Sequence, residues 1–365
     1  MKPLLFVTGH VPAYRAGALA RLHEREGIEV ALFGGRSLHG GADHAGELPF
    51  PSQHARPAQL ARLAGGDAHR AVVASTGGRL ALLATWAGAR AGRTPLVLWA
   101  SLWAHPRSAA HALSYLPLRH IYRSADAVVT YGPHVSAYVR ARGAHNVHVA
   151  PQSVDNDFWR ASEVGPPREP GWPASAQTKF LFVARPAPAK GVHVLLEAWS
   201  SARLAPGSAA LVLVGGAQAD ARPAAGREAR AHDVLSLPPL SAAELREVYA
   251  AADVLVVPSI ATATFREPWG LVVNEGMNRG LAVVASDAVG AAAGGLVRDE
   301  QTGLVVPAGD ARALAGAIER LAGDPALRAR LGAAGRAEVA AYSHDAWAEG
   351  FSRALSSIGL SRQRT

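Results

Sequence analysis

The feature that most restricts the fold of this chain is an alternation. Short, mostly apolar runs are separated by longer stretches, rich in Ala, Leu and Arg, whose apolar positions follow the helical period. In the first half the apolar runs fall at residues 4–7, 28–33, 71–74, 96–99, 127–130 and 147–150, with helical stretches at 16–25, 78–91 and 113–124. The second half repeats the scheme, with runs at 180–183, 211–214, 234–237, 254–257, 282–285 and 304–306 and helical stretches at 192–202, 242–251, 272–279 and 311–322. A strand that is apolar along its whole length is covered on both faces, as in a parallel sheet flanked by helices. Two such sets within 365 residues predict an α/β chain of two doubly wound, Rossmann-like domains.

The Pro-, Gly- and Ser-rich stretch 161–178 marks the expected linker. It predicts a first domain over 1–165, a second over 166–343, and a last helix within 344–365 that crosses back to the first. Residues 217–233 read as a surface connection. No apolar run reaches the roughly 18 residues that span a bilayer as a helix. The opening MKPLLFVTGHVPAYRAG has too short an apolar run for a signal peptide, and no small-residue cleavage site follows. A cytoplasmic protein is therefore expected, with the inner membrane face as a peripheral contact. The chain has no cysteine, which excludes disulfides and thiolate chemistry. Its net charge of +8 suits phosphate-bearing ligands or an anionic membrane surface. No block of basic residues points to nucleic acid.

Ligands of open α/β sheets bind beyond the carboxyl ends of the strands, so residues just after strands are the candidates. In FVARPAPAKGVHVLLEA, Arg185 and Lys190 follow a strand and lead into a helix. Two fixed cations beside a helix N-terminus make an anion site. Lys190 stands out because lysine otherwise occurs only at Lys2 and Lys179. In FREPWGLVVNEGM, a helix is expected to begin near Trp269–Gly270, with Pro268 in its first turn and Gly270 allowing close approach to the backbone. The amides of Gly270, Leu271 and Val272 then face a phosphate. Glu267 precedes the helix and suits sugar hydroxyls, whereas Glu275 lies one to two turns inside it and suits a vicinal diol such as ribose.

At these residues the chain resembles the retaining glycosyltransferases of family 4, which have the GT-B fold: two Rossmann-like domains facing across a central cleft. Glu267 and Glu275 match the family's pair of glutamates, and Arg185 and Lys190 its two cations. LVLVGG (211–216), ELREVYAAADVLVVPS (244–259), GLAVVASDAVG (280–290), TGLVVPAGD (302–310) and APQSVDNDFW (150–159) stand where the family has similar blocks. The resemblance implies that Glu267 contacts the donor sugar, Glu275 holds the ribose, and Arg185, Lys190 and the amides of 270–272 hold the diphosphate. It implies no metal and no cofactor beyond the nucleotide-sugar substrate. In the first half it places Gly9 near the donor phosphate and His105 near the reacting sugar. His10, Trp103, Tyr131 and His134 become candidates for the acceptor, while Trp99 suits core packing.

The expected activity is retaining, metal-independent transfer of a hexose-type sugar to a glycan, lipid-linked or small-molecule acceptor, in envelope polysaccharide or glycoconjugate synthesis. A sugar-nucleotide epimerase of similar build, a two-domain sugar-nucleotide-binding protein and an inactive relative are the alternatives.

Overall fold

The computed structural model describes residues 1–34, 48–216 and 233–362; residues 217–232 of the expected surface connection lie outside these. By contacts, the chain forms two units: Met1–Asp155 with Tyr342–Thr365, and Asn156–Ala341.

The first unit runs β1 (Leu4–Thr8), α1 (Ala13–Glu26), β2 (Ile28–Leu32), β3 (Ser52–His54), α2 (Pro57–Gly65), β4 (Ala71–Ser75), α3 (Arg79–Gly92), β5 (Leu96–Ala100), α4 (Ala109–Ser124), β6 (Ala127–Thr130), α5 (Pro133–Arg140) and β7 (Val147–Val149). Its strands form one seven-stranded sheet in the order β3-β2-β1-β4-β5-β6-β7. Every pair is parallel. The two faces explain the apolar runs. Leu4 and Phe6 of β1 enter a cluster with Leu19, Leu22 and Trp347, whereas Leu5 and Val7 enter one with Leu60 and Leu82. Burying such side chains contributes about 1.5–3 kcal/mol each, so the strand positions that face these clusters are apolar.

The second unit runs α6 (Asn156–Arg160), β8 (Thr178–Val183), a 3₁₀ turn (Pro188–Lys190), α7 (Val192–Ser201), β9 (Ala209–Val214), β10 (Val234–Leu237), α8 (Ala242–Ala251), β11 (Val254–Val257), α9 (Val272–Asn278), β12 (Ala282–Ser286), α10 (Gly290–Ala293), β13 (Leu304–Val306), α11 (Ala311–Gly323) and α12 (Pro325–Glu338). Its sheet is also parallel, in the order β10-β9-β8-β11-β12-β13. The chain then returns to the first unit as α13 (His344–Ser356). There Trp347 and Phe351 are fully buried against Phe6 and Trp99. Trp99 is thus a core residue, and the Arg15 guanidinium lies over its ring at 5.3 Å.

The expected elements leave out β3, α2, α5, α6, α10 and α12. β3 is an edge strand of three exposed residues, paired to β2 alone, so no apolar run announces it. α2 buries only Leu60 and Ala64, one turn apart, too thin a stripe to register as a period.

Candidate active site

The second unit places its chemistry in the loops that follow β8, β11 and β12, three neighbouring strands. After β8 the chain passes Arg185, turns through Pro188–Lys190 and reaches Gly191 at φ 72°. A side chain at Gly191 would be strained at that φ and would run into the carbonyl oxygen of Pro258, at the end of β11. The Ile260 amide donates to the Ala189 carbonyl at 2.9 Å and closes the two loops on each other. This close approach aims Lys190 at Glu267: its ammonium makes a short ion pair with Oε2. The Ser259 hydroxyl donates to the same oxygen at 3.4 Å.

Glu267 is 7% exposed. Its backbone is held from the other side, because it bridges Val289, in the loop after β12. The Gly290 amide donates to the Glu267 carbonyl at 3.1 Å and the Ala291 amide to the Trp269 carbonyl at 2.8 Å. Pro268 and Trp269 therefore belong to an extended segment laid against 289–291, not to a helix. α9 starts at Val272, as the helical period over 272–279 has it; the earlier start expected near 269–270 is corrected. Gly270, at φ 90°, makes the turn between them. The amides of Gly270, Leu271 and Val272 donate to no acceptor among the described residues. One further expectation changes. Lys190 is a fixed cation, but Arg185 is exposed and meets no carboxylate among the described residues, so it is not held in place.

Glu275 lies further along α9. The Tyr249 hydroxyl, reaching over from α8, donates to its Oε2 at 2.8 Å. Burial pushes the carboxyl up to about 7, and the bond from Tyr249 opposes that rise. Oε1 keeps its capacity for a further donor. The inner face of α9 carries two fully buried amides that sequence reasoning did not single out, Asn274 and Asn278. The Trp269 indole donates to Asn274 Oδ1 at 2.7 Å. Asn278 accepts from Arg160 Nε at 2.7 Å and donates to Asn156 Oδ1 at 2.8 Å. A polar ladder thus ties the Glu267–Trp269 segment, through α9, to α6. Its only trace in the sequence is a pair of asparagines at helical spacing in a helix whose other residues, Glu275 apart, are apolar or glycine.

The candidates of the first unit follow β1, β5 and β6. Gly9 accepts from the Gly34 amide at 2.8 Å and lies beside the Phe33 ring, with half-buried His10 next to it. Trp103 and His134 meet edge to face, their ring centroids 5.1 Å apart. Trp103 comes from the loop after β5, and His134 from the first turn of α5, which follows the adjacent β6. The half-buried Tyr131 packs on Trp99 at 5.8 Å, and burial raises its hydroxyl pKa. His105 has local partners at both ring nitrogens: Nδ1 lies 3.3 Å from the Tyr138 hydroxyl and Nε2 2.9 Å from the His111 carbonyl. Any contact of His105 with a substrate therefore requires one of these bonds to be exchanged.

Comparison with known proteins decides the family. The family described as "Glycosyl transferases group 1" matches residues 177–324. A D-inositol 3-phosphate glycosyltransferase of Xylanimonas cellulosilytica is 30% identical over 380 aligned positions, covering 90% of this chain and 87% of that protein. The chain belongs to the glycosyl transferases group 1 family. Solved structures agree on the fold. HepE of Anabaena, in complex with UDP and glucose, aligns at 19% identity and a TM-score of 0.71 over 98% of this chain and 100% of its own. The sucrose-phosphate synthase of Thermosynechococcus elongatus aligns at 21% identity and a TM-score of 0.74 over 98% and 99%. This family member is thus a glycosyltransferase of GT-B fold that takes sugar from a nucleotide-sugar.

Proposed function

We propose that this glycosyltransferase moves a hexose-type sugar from a nucleoside diphosphate sugar with retention of configuration and without a metal. The observation that carries the reading is the cluster of Lys190, Ser259 and Glu267, fixed by three strand-end loops beside the amides of Gly270, Leu271 and Val272. In this reading Lys190, Arg185 and the amides take the diphosphate, and Glu267 takes hydroxyls of the donor sugar. Glu275 takes the ribose diol, so ribonucleotide donors are favoured over dTDP-sugars. Gly9 takes part in donor binding. His10, Trp103, Tyr131 and His134 meet the acceptor, and His105 reaches the reacting sugar by releasing a local bond.

Breaking the bond from C1 to the phosphate oxygen leaves an electron pair on the diphosphate. A cation and preoriented amides stabilise that charge without rearranging, which is the main electrostatic demand of the step. The acceptor oxygen forms its bond to C1 on the face that the diphosphate leaves, and its proton passes to the departing phosphate oxygen. Glu267 acts by recognition rather than as a covalent nucleophile, because the role its match to the family's glutamate pair implies is contact with sugar hydroxyls. The setting we favour is envelope polysaccharide or glycoconjugate synthesis on the cytoplasmic side, with peripheral contact to an anionic membrane.

The test is release of nucleoside diphosphate from UDP-, GDP-, ADP- and dTDP-sugars, with and without inositol phosphate as acceptor, in the presence of a chelator. Turnover of one ribonucleotide donor with the chelator present supports the reading. No release and no thermal stabilisation with any donor overturns it.

A further inference from the structure

Four leucines of the first unit sit in water. Leu80 and Leu83 of α3 are 73% and 40% exposed, and Leu113 and Leu116 of α4 are 82% and 69% exposed. Each pair is three residues apart, so each lies on one helix face. The two helices are neighbours and run the same way. Arg79 reaches His111 at 3.1 Å near their N-terminal ends. Further along, the Trp86 indole donates to Ser124 at 3.0 Å and its ring meets His120 at 5.4 Å. The leucines therefore form one patch at the N-terminal end of both helices. Single exposed leucines are ordinary, but a grouped set beside charges of one sign marks a docking surface.

The charge around the patch says what it meets. Between Asp67 and Asp126 the chain carries seven arginines and no acidic residue. Arg90 is paired with Asp126, whereas Arg79, Arg107 and Arg119 are exposed and meet no carboxylate among the described residues. On α4 the outward stripe runs from Leu113 and Leu116 to Arg119, His120 and Arg123. Apolar side chains flanked by arginines, with no acid, are the chemistry of helices that lie in the headgroup region of an anionic bilayer. No helix among the described residues is long and apolar enough to cross a membrane, so the contact is peripheral.

We infer that the α3–α4 face docks the protein on an anionic lipid surface, with Leu80, Leu83, Leu113 and Leu116 entering the headgroup layer and Arg79, Arg107 and Arg119 meeting lipid phosphates. The position suits a membrane-bound acceptor. α4 follows the loop that carries Trp103 and His105, and His105 bonds directly to the His111 backbone of α4. The inference rests on the peripheral membrane contact proposed above and gives it a surface in the first unit; it does not depend on the donor assignment.

The test is co-sedimentation of the full chain with vesicles of phosphatidylcholine alone or mixed with phosphatidylglycerol, at low and high salt. Wild type is expected to bind only the anionic vesicles and to lose binding as salt rises. The double variants Leu113→Ser/Leu116→Ser and Leu80→Ser/Leu83→Ser each remove two inserting side chains and should weaken binding by about tenfold or more. Arg119→Gln should cost about fivefold. Donor hydrolysis should be unchanged in all three. No preference of wild type for anionic lipid overturns the inference, as does undiminished binding by both double variants. Light scattering that shows a dimer broken by the leucine variants, with vesicle binding intact, would overturn it in favour of a second copy of the chain.

Discussion

Replacing Glu275 by Gln separates what its charge costs the fold from what its charge does for a ligand. Burial raises this carboxyl from 4.5 to about 7. Between those values the folded chain holds a proton that the unfolded chain releases, so stability falls as pH rises through the window and stays low above it. Each pKa unit corresponds to about 1.4 kcal/mol, so full ionisation costs at most about 3 kcal/mol. Part of the side chain reaches solvent, which brings the expected cost to roughly 1–2 kcal/mol. Glu275→Gln keeps an acceptor for the Tyr249 hydroxyl but cannot ionise. The variant should melt higher than wild type by about 2–4 °C per kcal/mol near pH 8, and at the same temperature near pH 4. The same variant should bind nucleotide more weakly, because a neutral amide accepts hydroxyls less strongly than a carboxylate does. In wild type, binding near pH 6.5 should release a proton, visible in calorimetry as a heat that depends on the buffer's ionisation enthalpy. A Glu275→Gln variant equally stabilised at both pH values, or not stabilised at either, would refute the reasoning.

Three further substitutions probe the frame around the site. Lys190→Ala leaves Glu267 buried beside Ser259 without its cation; turnover should fall by about a hundredfold or more, with the fold retained by circular dichroism. Gly191→Ala meets both an unfavourable φ and the Pro258 carbonyl; denaturant titration should show a loss of at least about 1–2 kcal/mol, and turnover should drop because Lys190 is displaced. Asn278→Ala strips buried partners from Arg160 and Asn156 and should cost about 2–3 kcal/mol, with donor KM raised through the loosened α9.

Much of this arrangement is legible in the residues, and the gaps have physical causes. Strands buried on both faces read directly as apolar runs, because most of their positions face a core cluster. β3 has no buried face, so Ser52, Gln53 and His54 carry no signal. Lys190 and Glu267 announce themselves by composition and spacing, but their ion pair depends on Gly191 fitting against Pro258, which is a tertiary contact. The start of α9 is misread for a similar reason. Pro268 and Trp269 suit a first helical turn locally, yet their segment is fixed by hydrogen bonds to the loop after β12, far away in the chain. Tyr249 and the partners of His105 come from other elements, so neither the raised carboxyl of Glu275 nor the local tethering of that histidine is visible along the sequence. The Pro- and Gly-rich stretch 161–178 draws the eye as a linker, while the contacts of Asn156 and Arg160 with Asn278 group α6 with the second unit.

The central claim is that Glu275 holds the ribose of a nucleotide whose diphosphate lies at Lys190. It is tested most directly by calorimetry with the nucleoside diphosphate of the accepted base and its 2′,3′-dideoxy analogue. Wild type should bind the ribonucleotide about tenfold or more tightly than the analogue, Glu275→Ala should bind both alike, and Lys190→Ala should weaken both equally. A preference for the ribonucleotide that persists in Glu275→Ala would contradict the account.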